Sequence, residues 1–268
     1  MCGRFVSTNS AERIASYFGA SFDTPEQSAT DAPTIAENYN VAPTNDVFAV
    51  VGAVGETSGA DNEQASTSAV RVFRWGLVPS WAKDVKIASK MINARSETIA
   101  EKPAFKKLFA SRRLIIPMDG FYEWRHSQPA VTRAKQPMFI HSVDRTPLAV
   151  AGLWTSWCDP TIPEGDGPRW LHTCTIITTA ANETMASVHN RMPVLLSADH
   201  WAEWLDPAGA DVEALQRLLV PAPNTVLTMH PVSAAVNNVR NKGPELIEPC
   251  APLGAVTSEP VDHGQLFD

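Results

Sequence analysis

The stretch LIIPMDGFYEW, residues 114–124, contains two short runs rich in β-branched and aromatic residues, 114–116 and 120–124. Runs of this length and composition, bounded by Gly, Pro, Asp and Ser, are typical of β-strands. Similar runs occur on both sides of this stretch, at 47–51, 70–76, 137–141, 148–154, 173–179 and 225–229. The sequence therefore predicts a protein built mainly from β-strands.

Short helical patterns lie between these runs. Asn9 to Glu12 resembles a capping box, Ile14 and Phe18 recur at helical spacing, and Gly19 ends the pattern. Further helices are expected at 103–111, 197–205 and 211–220. Because helices and strands do not alternate in βαβ order, we predict an α+β fold. We expect a single domain with a curved, mainly antiparallel, barrel-like β-sheet flanked by short helices.

Stretches rich in small and polar residues interrupt or follow this domain, which we place at residues 2–249. Residues 20–37 are expected to form a surface connection, and residues 53–68 a flexible hairpin insertion. Residues 250–268 form a C-terminal tail punctuated by prolines. We find no internal repeat, so a single domain with a tail is the expected organisation.

Composition narrows the class of protein. No stretch approaches the roughly 18 consecutive apolar residues of a membrane span, and the N-terminus lacks the pattern of a signal peptide. We therefore expect an intracellular, cytoplasmic protein with no membrane contact. The cysteines at 2, 158, 174 and 250 form no Cys-x-x-Cys pair, which argues against a disulfide framework and against a zinc site.

Charge is distributed unevenly along the chain, whose formal net charge is −7. Residues 71–135 hold 14 of the 22 Lys and Arg but only 5 of the 29 Asp and Glu. A basic segment inside an acidic protein suits contact with a nucleic-acid backbone, because phosphate neutralisation supplies most sequence-independent affinity. The alternative is an ordinary solvated face, and charge alone does not separate the two.

Cys2 follows the initiator Met1 and has chemistry that no internal cysteine shares. Once Met1 is removed, Cys2 carries a free α-amine and a thiol on adjacent carbons. Their reference pKa values, about 7.7–8.0 and about 8.5, give each a useful nucleophilic fraction near neutral pH. The amine can condense with an aldehyde to a Schiff base, and the thiolate can then close a thiazolidine ring.

Three other polar residues, Asn93, Glu123 and His189, lie among apolar or aromatic neighbours and complete the candidate catalytic set. Glu123, between Tyr122 and Trp124, suits general acid–base work, although an ion pair with a nearby arginine is the alternative. His189 can carry protons near neutral pH, or can simply be hydrogen-bonded in a loop. Asn93 can orient a substrate, or can form a turn.

The run WGLVPSW, residues 75–81, places Trp75 and Trp81 in a stiff loop beside basic residues. Bases of a single strand stack on such rings, each for roughly 1–3 kcal/mol, although tryptophans also pack in cores. The sequence contains no Ser-His-Asp order signature, no phosphate-binding glycine loop and no His-x-x-x-His pair. Common hydrolase, nucleotide-binding and zinc-protease functions therefore have no support.

Several ordered motifs carry a resemblance to a known family. They are MCGR at 1–4, YNVAPT at 39–44, RWGLVPSW at 74–81, NARSE at 93–97, GFYEW at 120–124, HNRMP at 189–193, VNN at 236–238 and GPE at 243–245. Together they resemble the SRAP family of SOS-response-associated peptidases, which shield abasic DNA. The resemblance spans residues 2–249 and favours the aldehyde chemistry of Cys2.

The resemblance implies that Met1 is removed autocatalytically and that Cys2 forms a thiazolidine with the ring-opened aldehyde of an abasic site in single-stranded DNA. It implies that Asn93 holds Cys2 and the opened sugar, that Glu123 acts as general acid–base, and that His189 moves protons at the sugar hydroxyl. No metal and no cofactor are implied. We expect the protein to act as a monomer.

The resemblance also implies a set of DNA contacts. Arg4, Arg95, Thr178 and Arg191 are similar to phosphate contacts, and Pro43, Trp75 and Trp81 to apolar supports near the bases. Weak lyase activity through the Schiff base is a further expectation. Two alternatives remain: a cysteine hydrolase using Cys2, His189 and Glu123, and a non-catalytic module that binds single-stranded DNA.

Overall fold

Short β-strands dominate the computed structural model, which describes residues 2–22, 35–52, 68–126, 135–165, 169–209 and 211–253. In these ranges the strands are β1 (Phe5–Ser7), β2 (Ser21–Phe22), β3 (Asn38–Val41), β4 (Asp46–Gly52), β5 (Ser68–Trp75), β6 (Asn93–Arg95), β7 (Arg113–Met118), β8 (Gly120–His126), β9 (Lys135–Ser142), β10 (Leu148–Cys158), β11 (Trp170–Ala180), β12 (Arg191–Pro193) and β13 (Leu227–Pro231). The α-helices are α1 (Ala11–Phe18), α2 (Lys106–Ser111), α3 (Glu183–Ala186), α4 (Trp201–Leu205) and α5 (Val212–Arg217).

Strands β4, β5, β7, β10 and β11 close into a barrel. Strand β5 pairs with β4, β4 with β7, β7 with β10 and β10 with β11, all antiparallel. The ring is closed by a parallel pairing of β11 with β5, in which Cys174 lies opposite Trp75. Closure leaves no free edge between these strands. The predicted α+β class, with a curved, mainly antiparallel and barrel-like sheet, is confirmed.

A second, antiparallel sheet lies against the barrel, in the strand order β13-β9-β8-β1-β3. Phe5 and Phe121 from this sheet belong to the same apolar core as Trp75 and Ile116 of the barrel. The rings of Phe5 and Trp75 meet edge to face, with centroids 5.0 Å apart. Each such buried side chain contributes about 1.5–3 kcal/mol. This shared core carries the N-terminal segment into the interior.

Helix α1 forms where the capping pattern predicts it. The Ser10 hydroxyl accepts a hydrogen bond from the Arg13 N–H, and Gly19 ends the helix with φ 62° while its N–H donates to the Ala15 carbonyl. Glycine reaches this left-handed conformation without a Cβ clash. Ile14 and Phe18 are buried against the outside of the barrel. Local capping and spacing thus suffice for this element.

The other predicted helices are shorter than expected. The 103–111 helix begins only at Lys106, because Lys102 and Phe105 close a separate turn. The 197–205 helix divides into a 3-10 turn, Ala198–His200, followed by α4, and the 211–220 helix is reduced to α5. Most of the surface connection, residues 23–34, lies outside the described residues.

The boundaries of two strands differ from the predicted ones. The strand predicted at 225–229 lies at Leu227–Pro231, and Ser68, assigned above to the insertion, is the first residue of β5. The rest of the insertion, 53–67, and the tail from 254 onward lie outside the described residues. Within the described ranges, no helix has the length and apolar character needed to cross a bilayer.

Candidate active site

Cys2 lies in the core at the junction of the barrel and the second sheet. Its side chain is 0% exposed and packs in the same apolar cluster as Phe5 and Trp75. Strand β1 pairs with β8 through Phe5 opposite Phe121, and the antiparallel register continued by two residues brings Glu123 opposite Gly3. The sheet therefore positions a carboxylate next to the residue that follows Cys2.

Asn93 holds the backbone of Cys2. It lies at the start of β6, which pairs in parallel with β11 through Asn93 opposite Ile176. Its Nδ2 donates to the Cys2 carbonyl over 2.9 Å, a contact between residues 91 positions apart. Its Oδ1 is buried and has no hydrogen-bond partner among the described residues. One end of the amide thus fixes Cys2, and the other is an acceptor that a bound molecule can use.

His189 lies in the turn between α3 and β12. Its backbone N–H donates to the Met185 carbonyl, and its Nδ1 accepts from the Arg191 N–H, each over 2.9 Å. A neutral ring that accepts at Nδ1 carries its proton on Nε2. Burial lowers the pKa of His189, while the charge of Glu123 opposes this shift. The neutral imidazole is therefore the form present near pH 7.

Glu123 links these groups electrostatically. It is 4% exposed, and its negative charge acts on both Cys2 and His189. On the other face of β8, Tyr122 packs in a separate apolar cluster and donates its hydroxyl proton to the Tyr39 carbonyl over 2.7 Å. Strand alternation therefore separates the charged side chain from its aromatic neighbour. We call Cys2, Asn93, Glu123 and His189 the Cys2 site.

The thiol of Cys2 differs from the expectation based on reference values. Burial raises its pKa strongly, and the negative charge of Glu123 raises it further. In the chain that still carries Met1 the thiol therefore keeps its proton near neutral pH, whereas the expected thiolate fraction concerned Cys2 after removal of Met1 and stays a prediction. Because the thiol keeps its proton, any reaction at sulfur needs a neighbouring base.

Comparisons with known proteins show the family to which the chain belongs. The family model of the SOS response associated peptidase (SRAP) matches residues 1–239. The chain belongs to the SRAP family. Its relatives include the "Abasic site processing protein YoqW" of Bacillus subtilis, which is 40% identical over 248 residues, 92% of this chain and 99% of the relative.

A vertebrate relative and a solved structure extend the comparison. The "Abasic site processing protein HMCES" of Gallus gallus is 37% identical over 213 residues, 70% of this chain and 60% of the relative. A crystal structure of a Bacteroides thetaiotaomicron protein superimposes with a TM-score of 0.74 at 24% identity, and covers 93% of this chain and 100% of that protein. At that identity, the superposition supports the SRAP fold alone.

The basic residues expected to contact phosphate in this SRAP chain lie in different settings. Arg95 is exposed at the end of β6. Arg191 is half-buried, forms a two-pronged ion pair with the Glu97 carboxylate and donates to the Thr178 carbonyl over 2.6 Å. Thr178 itself is fully buried, and its hydroxyl donates to the Ala94 carbonyl. Thr178 is therefore placed to orient Arg191 and not to touch phosphate directly.

Arg4 connects the N-terminal segment to the end of the SRAP domain. Its guanidinium donates to the Asn40 Oδ1 and to the Val236 carbonyl, each over 2.9 Å, and lies 5.9 Å from the ring of Trp124. Burial lowers the pKa of Arg4. Asn40, absent from the predicted site, is 0% exposed and donates to three backbone carbonyls. For Asn40, the signal available in the sequence was its position in the motif at residues 39–44.

The two tryptophans of the 75–81 loop have opposite environments. Trp75 is 0% exposed and Trp81 is 67% exposed. The Trp75 indole donates to the Ile92 carbonyl over 3.0 Å, and its own carbonyl accepts from the Thr44 N–H beside half-buried Pro43. The ring of Trp75 is therefore not available for stacking with a base, which corrects that part of the expectation. It supports Asn93 and the Pro43 turn from behind.

Among the described residues, no group of three or more His, Cys, Asp or Glu side chains is arranged to hold a metal ion. The Cys2 site instead combines one thiol, one carboxylate, one imidazole and one amide in a mainly apolar setting. Such a set is suited to proton transfer around a nucleophile.

Proposed function

We propose that this SRAP protein captures abasic sites in single-stranded DNA by a covalent bond to Cys2, after Met1 has been removed by the site itself. The observation that carries the proposal is the 2.9 Å hydrogen bond from Asn93 to the Cys2 carbonyl, within reach of the charge of Glu123. Further support comes from relatives that are named abasic site processing proteins. Met1 lies outside the described residues.

The first step uses the amine. The α-amine of Cys2 adds to the C1′ aldehyde of the opened sugar, and loss of one water gives a Schiff base. Because Asn93 fixes the carbonyl of the same residue, the amine is held in a defined place and pays little further ordering cost. The acceptor Oδ1 of Asn93 suits a hydroxyl of the opened sugar, and neutral His189 can donate a hydrogen bond from its Nε2–H to a sugar oxygen.

The second step uses the thiol. The sulfur adds to the imine carbon, the electron pair of the C=N bond moves to nitrogen, and the thiol proton ends on that nitrogen. A five-membered thiazolidine results, with one water lost over both steps and no change in oxidation state. Because the thiol is protonated near neutral pH, Glu123 is assigned as the base that accepts and returns this proton.

The strand would be held by charge around the Cys2 site. We assign Arg4, Arg95 and Arg191 to its phosphates, and Pro43 and Trp81 to its bases. Trp75 and Thr178 would contribute indirectly. Trp75 would support the segment that carries Asn93, and Thr178 would hold Arg191 by a hydrogen bond. In this proposal the protein acts as a monomer on single-stranded DNA. A slow β-elimination from the Schiff base would give weak lyase activity.

Intact-mass analysis tests the proposal. The purified chain should lack Met1 and should gain the mass of an abasic oligonucleotide minus one water. The matched control is Cys2→Ser, from which Met1 is removed by an added aminopeptidase, so that the variant keeps the amine but loses the thiol. It should give only a reversible imine that borohydride traps, whereas a heat-stable adduct with this variant would contradict the role of sulfur.

The same experiment separates the alternatives. Aldehyde capture needs the α-amine, so acetylation of the N-terminus should abolish adduct formation. A cysteine hydrolase needs the thiol but not the α-amine, so its hydrolysis of a peptide substrate should be unaffected by the acetylation. A module that only binds single strands would give no adduct at all. Retention of Met1 together with absence of an adduct would overturn the proposal.

A further inference from the structure

A second polar cluster lies at the inner face of the barrel, away from the Cys2 site. His172 on β11 precedes Ile176, the partner of Asn93, by four residues, roughly 13 Å along a strand. Alternation places His172 on the same face of β11 as buried Cys174, and Arg71 on the same face of β5 as buried Phe73. The inward-facing side chains of β5 and β11 thus change from apolar to basic toward this end of the barrel.

The side chains of this cluster pack on one another. The Arg112 guanidinium lies 4.6 Å from the ring centroid of Trp154, and Trp154 packs at a tilt against Phe73 with centroids 5.6 Å apart. The His172 ring meets Trp154 edge to face, and its Nδ1 lies 2.9 Å from the Ser156 hydroxyl. We call Arg71, Arg112, Trp154, Ser156 and His172 the Trp154 mouth.

The charges at the Trp154 mouth have one sign. Burial lowers the pKa of His172, and the positive charges of Arg71 and Arg112 lower it further, so both guanidinium groups act on the same ring. Arg71 and Arg112 are exposed. Neighbouring Arg113 differs, because it is buried and donates to the carbonyls of Phe109 and Trp204. The basic segment of the sequence therefore divides into structural cations and solvent-facing cations.

We propose that the Trp154 mouth binds phosphate groups of the DNA strand outside the Cys2 site, and so forms a second contact for the same strand. The inference rests on the proposed function in taking single-stranded DNA as the ligand. A guanidinium stacked on an indole is held in one orientation while its in-plane N–H groups remain free to donate. Two exposed arginines beside a fixed ring suit successive phosphates of a flexible strand.

Salt-dependent binding of undamaged oligothymidylate tests the inference. The double variant Arg71→Gln/Arg112→Gln should bind about three- to tenfold more weakly at low salt, as expected for the loss of two exposed ionic contacts. The plot of log affinity against log salt should become shallower by about 1.4, because each phosphate contact on a single strand contributes about 0.7. Arg112→Lys keeps the charge and should retain most of the slope.

Arg13→Gln is the matched control, because it removes one exposed cation from α1, far along the chain from this cluster. This variant should leave the affinity for oligothymidylate and the slope of log affinity against log salt unchanged. A double variant with the wild-type slope would overturn the inference, as would a wild-type chain with no affinity for undamaged strands. Formation of the covalent adduct is measured separately. If the wild-type chain forms the adduct but the double variant binds undamaged strands as the wild type does, the proposed function stands and only this inference is overturned.

Discussion

The Cys2 site and the Trp154 mouth use polar side chains in different ways. In the Cys2 site, Cys2 and Glu123 are buried, and Asn93 is fixed by a hydrogen bond to the backbone. At the Trp154 mouth, Arg71 and Arg112 are exposed, and Arg112 rests on a ring. Bond-making needs fixed distances and shifted proton affinities, whereas contact with a polyanion needs charges that water and phosphate can reach.

The largest expected effect separates covalent capture from binding. Cys2→Ala should abolish the thiazolidine adduct completely, because no sulfur remains to attack the imine. Once Met1 has been removed from this variant by an added aminopeptidase, some strand cleavage should persist, because the terminal alanine carries an amine that forms a Schiff base. Denaturing gels with and without heat measure both products. A heat-stable adduct with this variant would remove Cys2 from the mechanism.

Asn93→Ala should slow adduct formation by about 10- to 100-fold at saturating DNA, because a lost buried hydrogen bond costs about 1–3 kcal/mol. The affected contact is the 2.9 Å bond to the Cys2 carbonyl. Single-turnover kinetics with an abasic oligonucleotide give the rate. Affinity for an undamaged strand is measured separately, and a defect confined to that affinity would assign Asn93 to binding instead of chemistry.

Glu123→Gln should have opposite effects on thiol acidity and on reaction rate. Removal of the negative charge lowers the pKa of the Cys2 thiol, so thiolate absorbance should appear at lower pH than in the wild type. Adduct formation should nevertheless slow by about tenfold or more, because the proton acceptor is lost. A variant that forms thiolate more readily and also reacts faster would exclude Glu123 as the base.

The pH dependence of adduct formation should reflect His189. Burial holds the pKa of His189 below the ordinary value, so its neutral form persists as pH falls, and the decline in rate that is due to this ring lies below the usual histidine range and below the decline due to protonation of the α-amine. Glu123 acts in the opposite direction, and Glu123→Gln should therefore move this acid limb to still lower pH. NMR titration of the His189 ring checks the shift directly. In the variant His189→Gln, the decline in rate at acid pH that is due to this ring should be absent.

The smallest expected effect concerns the ion pair between Arg191 and Glu97. Arg191 lowers the pKa of Glu97 by hydrogen bonding, which keeps the carboxylate charged. Glu97→Gln should release Arg191 toward phosphate and raise affinity for single strands by about two- to threefold, the scale of an exposed pair. Fluorescence anisotropy at two salt concentrations measures it. Weaker binding would mean that Glu97 is needed to hold Arg191 in place.

Local sequence signals predicted much of the fold. Helix α1 follows from Ser10 and Gly19, and the strands around 114–124 follow from their composition. The closure of β5 on β11 could not be predicted in this way, because its partners lie about a hundred residues apart and no local preference encodes the pairing. The contact between Asn93 and Cys2 is non-local for the same reason.

The burial of two residues that were predicted to contact DNA had a signal that was present in the sequence. Trp75 lies two residues after Phe73, and Thr178 lies two residues after Ile176, so each shares a strand face with an apolar residue. Alternation therefore predicts that both side chains point into the barrel. The raised pKa of the Cys2 thiol had no such signal, because it depends on a burial that only the assembled sheets create.

The hydrogen bonds of Arg4 and Asn40 affect the order in which the protein matures. Arg4 donates to the carbonyls of Val236 and Asn237, and Asn40 donates to those of Val236, Asn238 and Asn241. A ribosome makes residue 2 at the start of synthesis and these carbonyl groups more than two hundred residues later. The N-terminal segment is thus the oldest part of the nascent polypeptide and among the last to be fixed, so under the proposed function aldehyde capture would begin only after residues 236–241 have packed against Arg4 and Asn40.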